Sequence, residues 1–283
     1  MRWILTRSLD DFLRAAGPFL RAEPALNTVP LTVCETLRRA GLAAYGDSPP
    51  WFGWHEAASG TPDGAVVQTP PFPLLATRLP EGSATSLIEQ ATASGIGLSA
   101  ANLDAGDEAA FTAGWLGAGG GTAAAQLRSR LYRLARLMPP DPAPAGRGRL
   151  AGQADTDLLV RWHEAFHDEI AAPGGDARRT VEQALAHDGV WLWEDGGQPV
   201  AMGTSTPEVA GVVRVNGIYT PPEHRRCGYG GAVTTAVTRS ALAAAPAEVV
   251  LFTDLANATS NALYRRLGYQ PVSDRVLLEL GTP

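Results

Sequence analysis

One segment in the second half of the chain limits the possible folds more than any other, because a strand, a glycine-rich loop and a helix follow one another directly. The pattern predicts a strand over residues 212–219 and a helix over residues 231–244. Three glycines lie at the junction: Gly228, Gly230 and Gly231. Glycine lets the backbone approach a ligand closely, and the free N–H groups and positive dipole end of a helix start bind anions. With Arg225 and Arg226 alongside, the segment predicts a phosphate or pyrophosphate site.

Two widespread nucleotide-binding motifs do not fit this loop. Gly228-x-Gly230 would need a third glycine three residues later to form GxGxxG, and that residue is Val233. The loop also lacks the Gly-Lys-Ser/Thr of a P-loop. A tight turn without a ligand is the simpler alternative at this point.

The spacing Arg225-x-x-Gly228-x-Gly230 resembles the R/Q-x-x-G-x-G/A signature of the GNAT superfamily of N-acyltransferases. The resemblance implies that the loop holds the pyrophosphate of coenzyme A. It assigns this contact to Arg225, Arg226, Cys227, Gly228, Tyr229, Gly230, Gly231 and Ala232. It also implies that the preceding strand separates from its neighbour, so that Ile218, Tyr219 and Thr220 pair with the pantetheine arm.

A second motif begins at Asn257. Ser260 and Tyr264 are four residues apart and share a helix face, with Asn257 at the helix start. The stretch to Tyr269 resembles the GNAT pattern N-x-x-(small)-x-x-L-Y-x-x-x-G-F/Y. This implies that Asn257, Ser260 and Tyr264 contact the cofactor, and that the Tyr264 hydroxyl protonates the leaving thiolate. In the alternative interpretation both residues have a structural role only: Tyr264 is a core aromatic residue, and Asn257 is a helix N-cap.

Residues 139–148 contain four prolines and two glycines, which predicts an extended linker. We expect a domain on each side of it, over residues 1–138 and 149–283. The sequence of the later domain predicts the element order ααβββαβαβ. This order resembles that of the GNAT fold. The fold class is therefore α/β (α+β), with a mixed central sheet flanked by helices. The whole chain resembles bacterial predicted acetyltransferases with a degenerate GNAT-like N-terminal half, through the segment 218–223.

The first half predicts mixed helices and strands and contains no chemical motif. We predict a strand over residues 95–101, a loop running into a helix end over 117–125, and a closing strand over 129–137. An aromatic cluster stands out there, and core packing is its simplest explanation. Its members are Trp51, Phe52, Trp54 and His55.

Composition excludes several partners. The formal net charge is −6, which disfavours nonspecific binding to nucleic acid or anionic membranes. No apolar run approaches the roughly 20 residues of a membrane-spanning helix, and the first residues lack the apolar region of a signal peptide. The two cysteines, Cys34 and Cys227, form no disulfide framework. We therefore expect a cytoplasmic protein that binds neither nucleic acid nor membrane.

A competing motif lies on the first helix of the later domain, where His163-Glu164-x-x-His167 matches HExxH. Two histidines at i and i+4 share a face as a zinc site requires, and Glu164 is then the general base of a hydrolase. No third ligand is evident, so we expect no metal. A non-catalytic acyl-CoA sensor is a further alternative.

Together, the two motifs predict an N-acetyltransferase that moves an acetyl group from acetyl-CoA to an amine of a small molecule or peptide. Tyr264 is the candidate acid. The base is less evident, because the predicted strand 212–219 contains no carboxylate. The candidates lie on the HExxH helix and are Glu164, His163, His167, Asp168 and Glu169.

Overall fold

The computed structural model describes residues 2–170 and 176–282, and the chain divides into two compact units. Unit 1 comprises Met1–Leu131, Asp254–Ala256 and Val272–Pro283. Unit 2 comprises Tyr132–Thr253 and Asn257–Pro271, so residues 139–148 lie within it. Among the described residues, no helix is long and apolar enough to span a bilayer.

Unit 1 contains both helices and strands. Their order is β1 (Arg2–Thr6), α1 (Leu9–Ala22), α2 (Thr28–Ala40), β2 (Trp51–Glu56), β3 (Pro62–Gln68), β4 (Leu74–Ala76), α3 (Ser83–Ala93), β5 (Ala100–Asp104), α4 (Glu108–Gly117) and the first part of β6 (Ala123–Leu134). Strands β1 to β4 pair antiparallel in chain order, and β4 pairs parallel with β5. Trp51 and Phe52 are fully buried. His55 is buried too, and its ring packs edge-on against Trp3. The core explanation of this cluster is therefore confirmed for these three residues.

Unit 2 follows the order β7 (Arg147–Leu150), α5 (Thr156–Glu169), α6 (Ala177–Leu185), β8 (Val190–Asp195), β9 (Gln198–Ser205), β10 (Val212–Tyr219), α7 (Tyr229–Ala243), β11 (Glu248–Asp254), α8 (Ala258–Arg266) and the start of β12 (Tyr269–Leu280). Strands β7 to β10 pair antiparallel, and β10 pairs parallel with β11. The predicted order ααβββαβαβ is confirmed, and β7 precedes it. The mixed sheet with helices is the predicted fold class.

Strand β10 divides the core of unit 2, because successive residues of a strand face opposite sides. Ile218 packs with α7 and α8 residues such as Val237 and Tyr264. The next residue, Tyr219, lies in a second cluster with Leu159 of α5 and Val181 of α6. The end of β10 is thus held from both sides of the sheet.

Several predicted bounds in the first half are wrong. The segment 117–125 was expected to end in a helix, but β6 begins at Ala123. Alanine favours helix in isolation, and strand pairing overrides this weak preference. The strand expected from residue 95 begins at Ala100, after a turn at Gly95, whose φ is 69°. Strands β1, β2 and β7 were not predicted at all, since short strands carry little periodic signal.

Candidate active site

The parallel pair β10 and β11 opens partway along its length. Their register runs from Val212↔Glu248 to Val215↔Leu251, although both strands continue beyond these residues. On the other edge of β10, the register with β9 shifts between Asn216 and Tyr219. A bulge bends a strand and increases its twist, so it accounts for the separation. Residues 218–220 of β10 and its continuation, predicted to pair with pantetheine, lie beyond the last rung.

The loop after β10 ends in a helix start whose first N–H groups meet no backbone acceptor among the described residues. Gly228 is the N-cap of α7 with φ 84°, and Arg226 has φ 64°. The first intrahelical donor is Ala232, whose N–H bonds the Gly228 carbonyl. Within the described part of the chain, no backbone acceptor meets the amides of residues 227–231. Successive N–H groups in such a turn form an anion-binding concavity. The geometry therefore fits the predicted phosphate site.

The two arginines of this loop differ in their contacts. Arg225 Nη2 lies 2.5 Å from Glu169 Oε1 at the end of α5, and its Nε donates to the Thr220 carbonyl at 2.9 Å. Its guanidinium also lies 6.0 Å from the centroid of the Tyr219 ring. Arg226 is exposed and makes no ion pair with any residue that the structure describes. Arg226 is consequently the cation left to balance a bound phosphate.

Tyr229, the first residue of α7, is tied to the β8–β9 hairpin. Its hydroxyl donates a 2.5 Å hydrogen bond to Asp195 Oδ2, and this bond raises the pKa of Tyr229 to about 12. The hairpin turn Asp195–Gln198 has positive φ at Gly196 and Gly197. Asp195 was not among the predicted site residues. It connects the hairpin to the end of the anion loop, where α7 begins.

The packing around Gly231 leaves little room for a side chain. A Cβ built on it would lie 3.1 Å from Leu263 Cδ1 in α8 and 3.4 Å from Pro140 Cγ. Pro144 lies 3.6 Å from the corresponding position on Gly228. Part of the proline-rich segment therefore lies along the start of α7.

Helix α8 positions the second motif. Asn257 is its N-cap, and its side-chain Oδ1 accepts the Ser260 N–H at 2.9 Å. Asn257 therefore acts as an N-cap through its side-chain oxygen, as the structural interpretation predicts. The residue itself is exposed. Ser260 is partly buried, one turn before Tyr264. Helix α8 begins at Ala258, four residues after β11 ends at Asp254.

Tyr264 is 7% exposed and packs with Val215 and Leu251, the last paired residues of β10 and β11. Its ring meets Tyr269 edge-on, with centroids 6.2 Å apart. Within the described residues its hydroxyl makes no hydrogen bond, whereas buried tyrosines usually have a partner. Burial, followed by the neighbouring Tyr269, raises the pKa of Tyr264 above its ordinary value. Tyr264 is therefore a neutral phenol next to the point where β10 and β11 separate, and its hydroxyl has no hydrogen-bond partner among the described residues.

Helix α5 presents two different faces. Trp162 and Phe166 pack against Tyr219, with ring centroids 6.2 and 6.4 Å away. The rings of His163 and His167 lie 4.3 Å apart, and burial, with His167 as the lesser cause, lowers the pKa of His163 to about 4. Glu164 is exposed and makes no hydrogen bond or ion pair within the described residues. The structure therefore supplies no contact that would place Glu164 at the reacting atoms.

The HExxH pair lacks the remaining ligands of a zinc site. Zinc sites use three or four protein ligands. Among the described residues, no group of three or more histidine, cysteine, aspartate or glutamate side chains is arranged to hold a metal. The rings of the two histidines lie tilted against each other on α5, which is a different element from the loop after β10 and from α8.

The element order, the parallel strand pair that opens and the adjoining anion loop together define the fold of the GNAT acetyltransferases. Residues 157–269 match the family described as Acetyltransferase (GNAT) family. This region contains both sequence motifs, and the match confirms the resemblance to the GNAT family that they predicted. No protein with a curated description matches the sequence.

Solved structures resemble the chain over its whole length. A GNAT-family acetyltransferase from Colwellia psychrerythraea has a TM-score of 0.61 at 14% identity, with all of both chains covered. A GCN5-related N-acetyltransferase from Sphaerobacter thermophilus has a TM-score of 0.59 at 15% identity, covering 100% of this chain and 96% of that one. A Drosophila protein has a TM-score of 0.66 at 16% identity, covering 98% and 97%. At these identities the likeness shows the fold.

Proposed function

We propose that unit 2 is an N-acetyltransferase that moves an acetyl group from acetyl-CoA to an amine of a small molecule or peptide. The observation that carries this proposal is the opening of β10 from β11 after Val215↔Leu251, directly before a loop whose N–H groups have no backbone acceptor in the described part of the chain. An elongated ligand with one anionic end suits this combination. The backbone edge of residues 218–220 accepts an amide-bearing chain as an added strand would, and the loop accepts a pyrophosphate.

Each candidate residue has a defined role in this proposal. The amides of residues 227–231 and the guanidinium of Arg226 bind the pyrophosphate. Ile218, Tyr219 and Thr220 align the pantetheine arm, with Asn257 and Ser260 on its other side. Because the site holds its donors in place before the reaction, they need no reorganisation when charge develops.

The reaction needs a neutral amine, a positioned thioester carbonyl and a proton for sulfur. The amine nitrogen bonds to the acetyl carbon, the C–S bond breaks, and the amine loses one proton. Tyr264 delivers a proton to the departing sulfur. A tyrosine hydroxyl with its ordinary pKa of about 10 is protonated at neutral pH. Burial raises the pKa of Tyr264 further, so the proton is present when the bond breaks. Solvent takes the amine proton, since no carboxylate lies on β10, and a proton from solvent restores the Tyr264 phenol before the next turnover.

Isothermal titration calorimetry of the full chain with CoA tests the binding part. Gly228→Glu places a bulky negative side chain in the anion loop, and it should abolish binding. Gly60→Glu is the matched control, because Gly60 also has positive φ, of 80°, and open space around it. Unchanged CoA binding in Gly228→Glu would remove the loop assignment.

Free-thiol release from acetyl-CoA across a panel of amines tests the catalytic part. The panel should include amino acids, polyamines, aminoglycosides and peptide N-termini. Thiol release that depends on one class of amine supports the transferase. CoA binding without turnover on any amine would favour the sensor instead.

A further inference from the structure

Unit 1 repeats the topology of unit 2 element by element. Each begins with a strand and two helices, continues with three strands, and then has a helix, a strand and a second helix. The pairing is also repeated, because β4 pairs parallel with β5 as β10 does with β11, and the earlier strands pair antiparallel. The helix after the parallel strand has a glycine N-cap with positive φ in both units, Gly82 (72°) and Gly228 (84°).

Corresponding residues follow from these shared features. The N-cap of α4 is Asp107, and the N-cap of α8 is Asn257. Tyr264 lies seven positions after Asn257, and Gly114 lies seven positions after Asp107. A Cβ on Gly114 would lie 3.0 Å from Thr85 Oγ1 in α3, so the two helices pack closely there. Unit 1 therefore has no phenol at the position of the proposed acid.

The stretch that would receive a pantetheine arm is also shorter in unit 1. From the last parallel rung to the glycine N-cap, unit 2 runs 13 residues, from Val215 to Gly228. Unit 1 runs 7 residues, from Leu75 to Gly82. Strand β4 ends at Ala76, one residue after the last rung, whereas β10 continues four residues past its own.

A side chain from β12 connects the two strands at that point. Arg275 Nη2 donates to the Ala76 carbonyl of β4 at 2.7 Å and to the Asn102 carbonyl of β5 at 2.8 Å. Its Nε donates to the Asn102 side chain at 2.6 Å. Burial lowers the pKa of Arg275 to about 10, while the carboxylates of Asp104 and Asp107 act in the opposite direction. One guanidinium therefore satisfies carbonyl groups on both strands where their ladder ends.

We propose that Arg275 fills, from within unit 1, the gap that corresponds to the pantetheine gap of unit 2, so that each chain binds one molecule of acyl-CoA, at unit 2 alone. This inference rests on the proposed function of unit 2. A pantetheine arm in unit 1 would have to displace three hydrogen bonds of a buried cation. Displacing them would leave the buried guanidinium of Arg275 without its partners at Ala76 and Asn102.

Calorimetry with CoA on the full chain tests the stoichiometry. Wild type should bind one CoA per chain, and Gly228→Glu should bind none. The matched variant is Gly82→Glu, at the equivalent N-cap, where a Cβ has open space. It should bind one CoA with the wild-type Kd. Two sites in wild type, or binding in Gly228→Glu that Gly82→Glu removes, would overturn the inference while leaving a CoA-binding protein.

Hydrogen exchange on the wild-type protein gives a second test that needs no variant. CoA should slow exchange of amides in residues 218–232 and leave residues 76–85 unchanged. Protection of residues 76–85 alongside 218–232 would show that the gap in unit 1 accepts the ligand. If no part of the chain binds CoA even at a high CoA concentration, the proposed function itself is overturned, and the single-site stoichiometry with it.

Discussion

The guanidinium of Arg225 lies 2.5 Å from the carboxylate of Glu169, so the anion loop after β10 is tied to the last turn of α5. Both side chains are more than 40% exposed, so the pair contributes little to stability, about 0–1 kcal/mol. Its larger effect is on charge. Glu169 neutralises one of the two arginines of a loop that is proposed to bind an anion.

We predict that Glu169→Gln binds CoA roughly two- to threefold more tightly at low salt, because a negative charge near the phosphates is removed and Arg225 is released. The gain should shrink at high ionic strength. Calorimetry at two salt concentrations measures it. Asp168→Asn is the control, since Asp168 is an exposed neighbour on the same helix. Weaker binding in Glu169→Gln would mean that the ion pair holds the loop in its binding shape.

Tyr264→Phe should lower kcat by roughly 10²-fold, in the range of a positioned acid, with little change in the KM for acetyl-CoA. The ring remains in its core position, so folding should survive. Tyr269→Phe is the matched control, because it removes a hydroxyl from the same core, one that bonds Thr238 Oγ1 at 2.7 Å. It should cost about 1 kcal/mol of stability and leave kcat unchanged. Wild-type turnover in Tyr264→Phe would make water or another group the acid.

The order of elements in unit 2 after β7 was predictable from sequence, because these helices and strands have clear periodicity and their turns carry glycine and proline. The loop and α8 motifs were also recognisable, since their residues are close together in the chain. Strand β10 matches its predicted bounds, Val212 to Tyr219. Local signals of this kind do not depend on how distant segments pack.

The contacts that connect distant segments were not predictable. Arg225 meets Glu169 across 56 positions, and Arg275 meets Ala76 across 199. Residue type alone gives an arginine no preference among the carboxylates and carbonyl groups of a chain. The same reason explains why Asp195 was missed, because its link to Tyr229 exists only once the hairpin and α7 are packed together.

Acidification should destabilise the protein through His163. Burial lowers its folded pKa to about 4 from an ordinary value of 6.5, so the unfolded chain binds the proton more readily. The stability that the neutral ring contributes is therefore complete above about pH 6.5 and is lost as the pH falls toward 4. His163→Gln should lose less stability between pH 7 and pH 5 than wild type, by about 1 kcal/mol after allowance for partial exposure.

Urea unfolding at the two pH values measures this difference. An acid-induced loss that is the same in His163→Gln and wild type would assign the effect to other groups.

Chelation should not affect the reaction. His163 and His167 are the only part of the HExxH motif that suits a metal, and no third ligand joins them within the described residues. Turnover after extended EDTA treatment should equal that of untreated protein. Elemental analysis should find far less than one zinc per chain. Zinc at one equivalent, lost together with activity, would restore the hydrolase alternative.

The tether between Tyr229 and Asp195 gives the last prediction. Tyr229 contributes a backbone N–H to the anion loop, and its hydroxyl is held at 2.5 Å by Asp195 at the end of β8. Tyr229→Phe removes the tether and should weaken CoA binding roughly threefold to tenfold, the effect of one lost charge-assisted hydrogen bond of about 1 kcal/mol. Asp195→Asn keeps an acceptor for the hydroxyl and removes a negative charge, so binding should be unchanged or tighter. Equal weakening in both variants would show that the charge of Asp195 is needed as well as its position. Wild-type affinity in Tyr229→Phe would show that the loop keeps its shape without the tether, through Gly228 and the packing of Gly231 against α8.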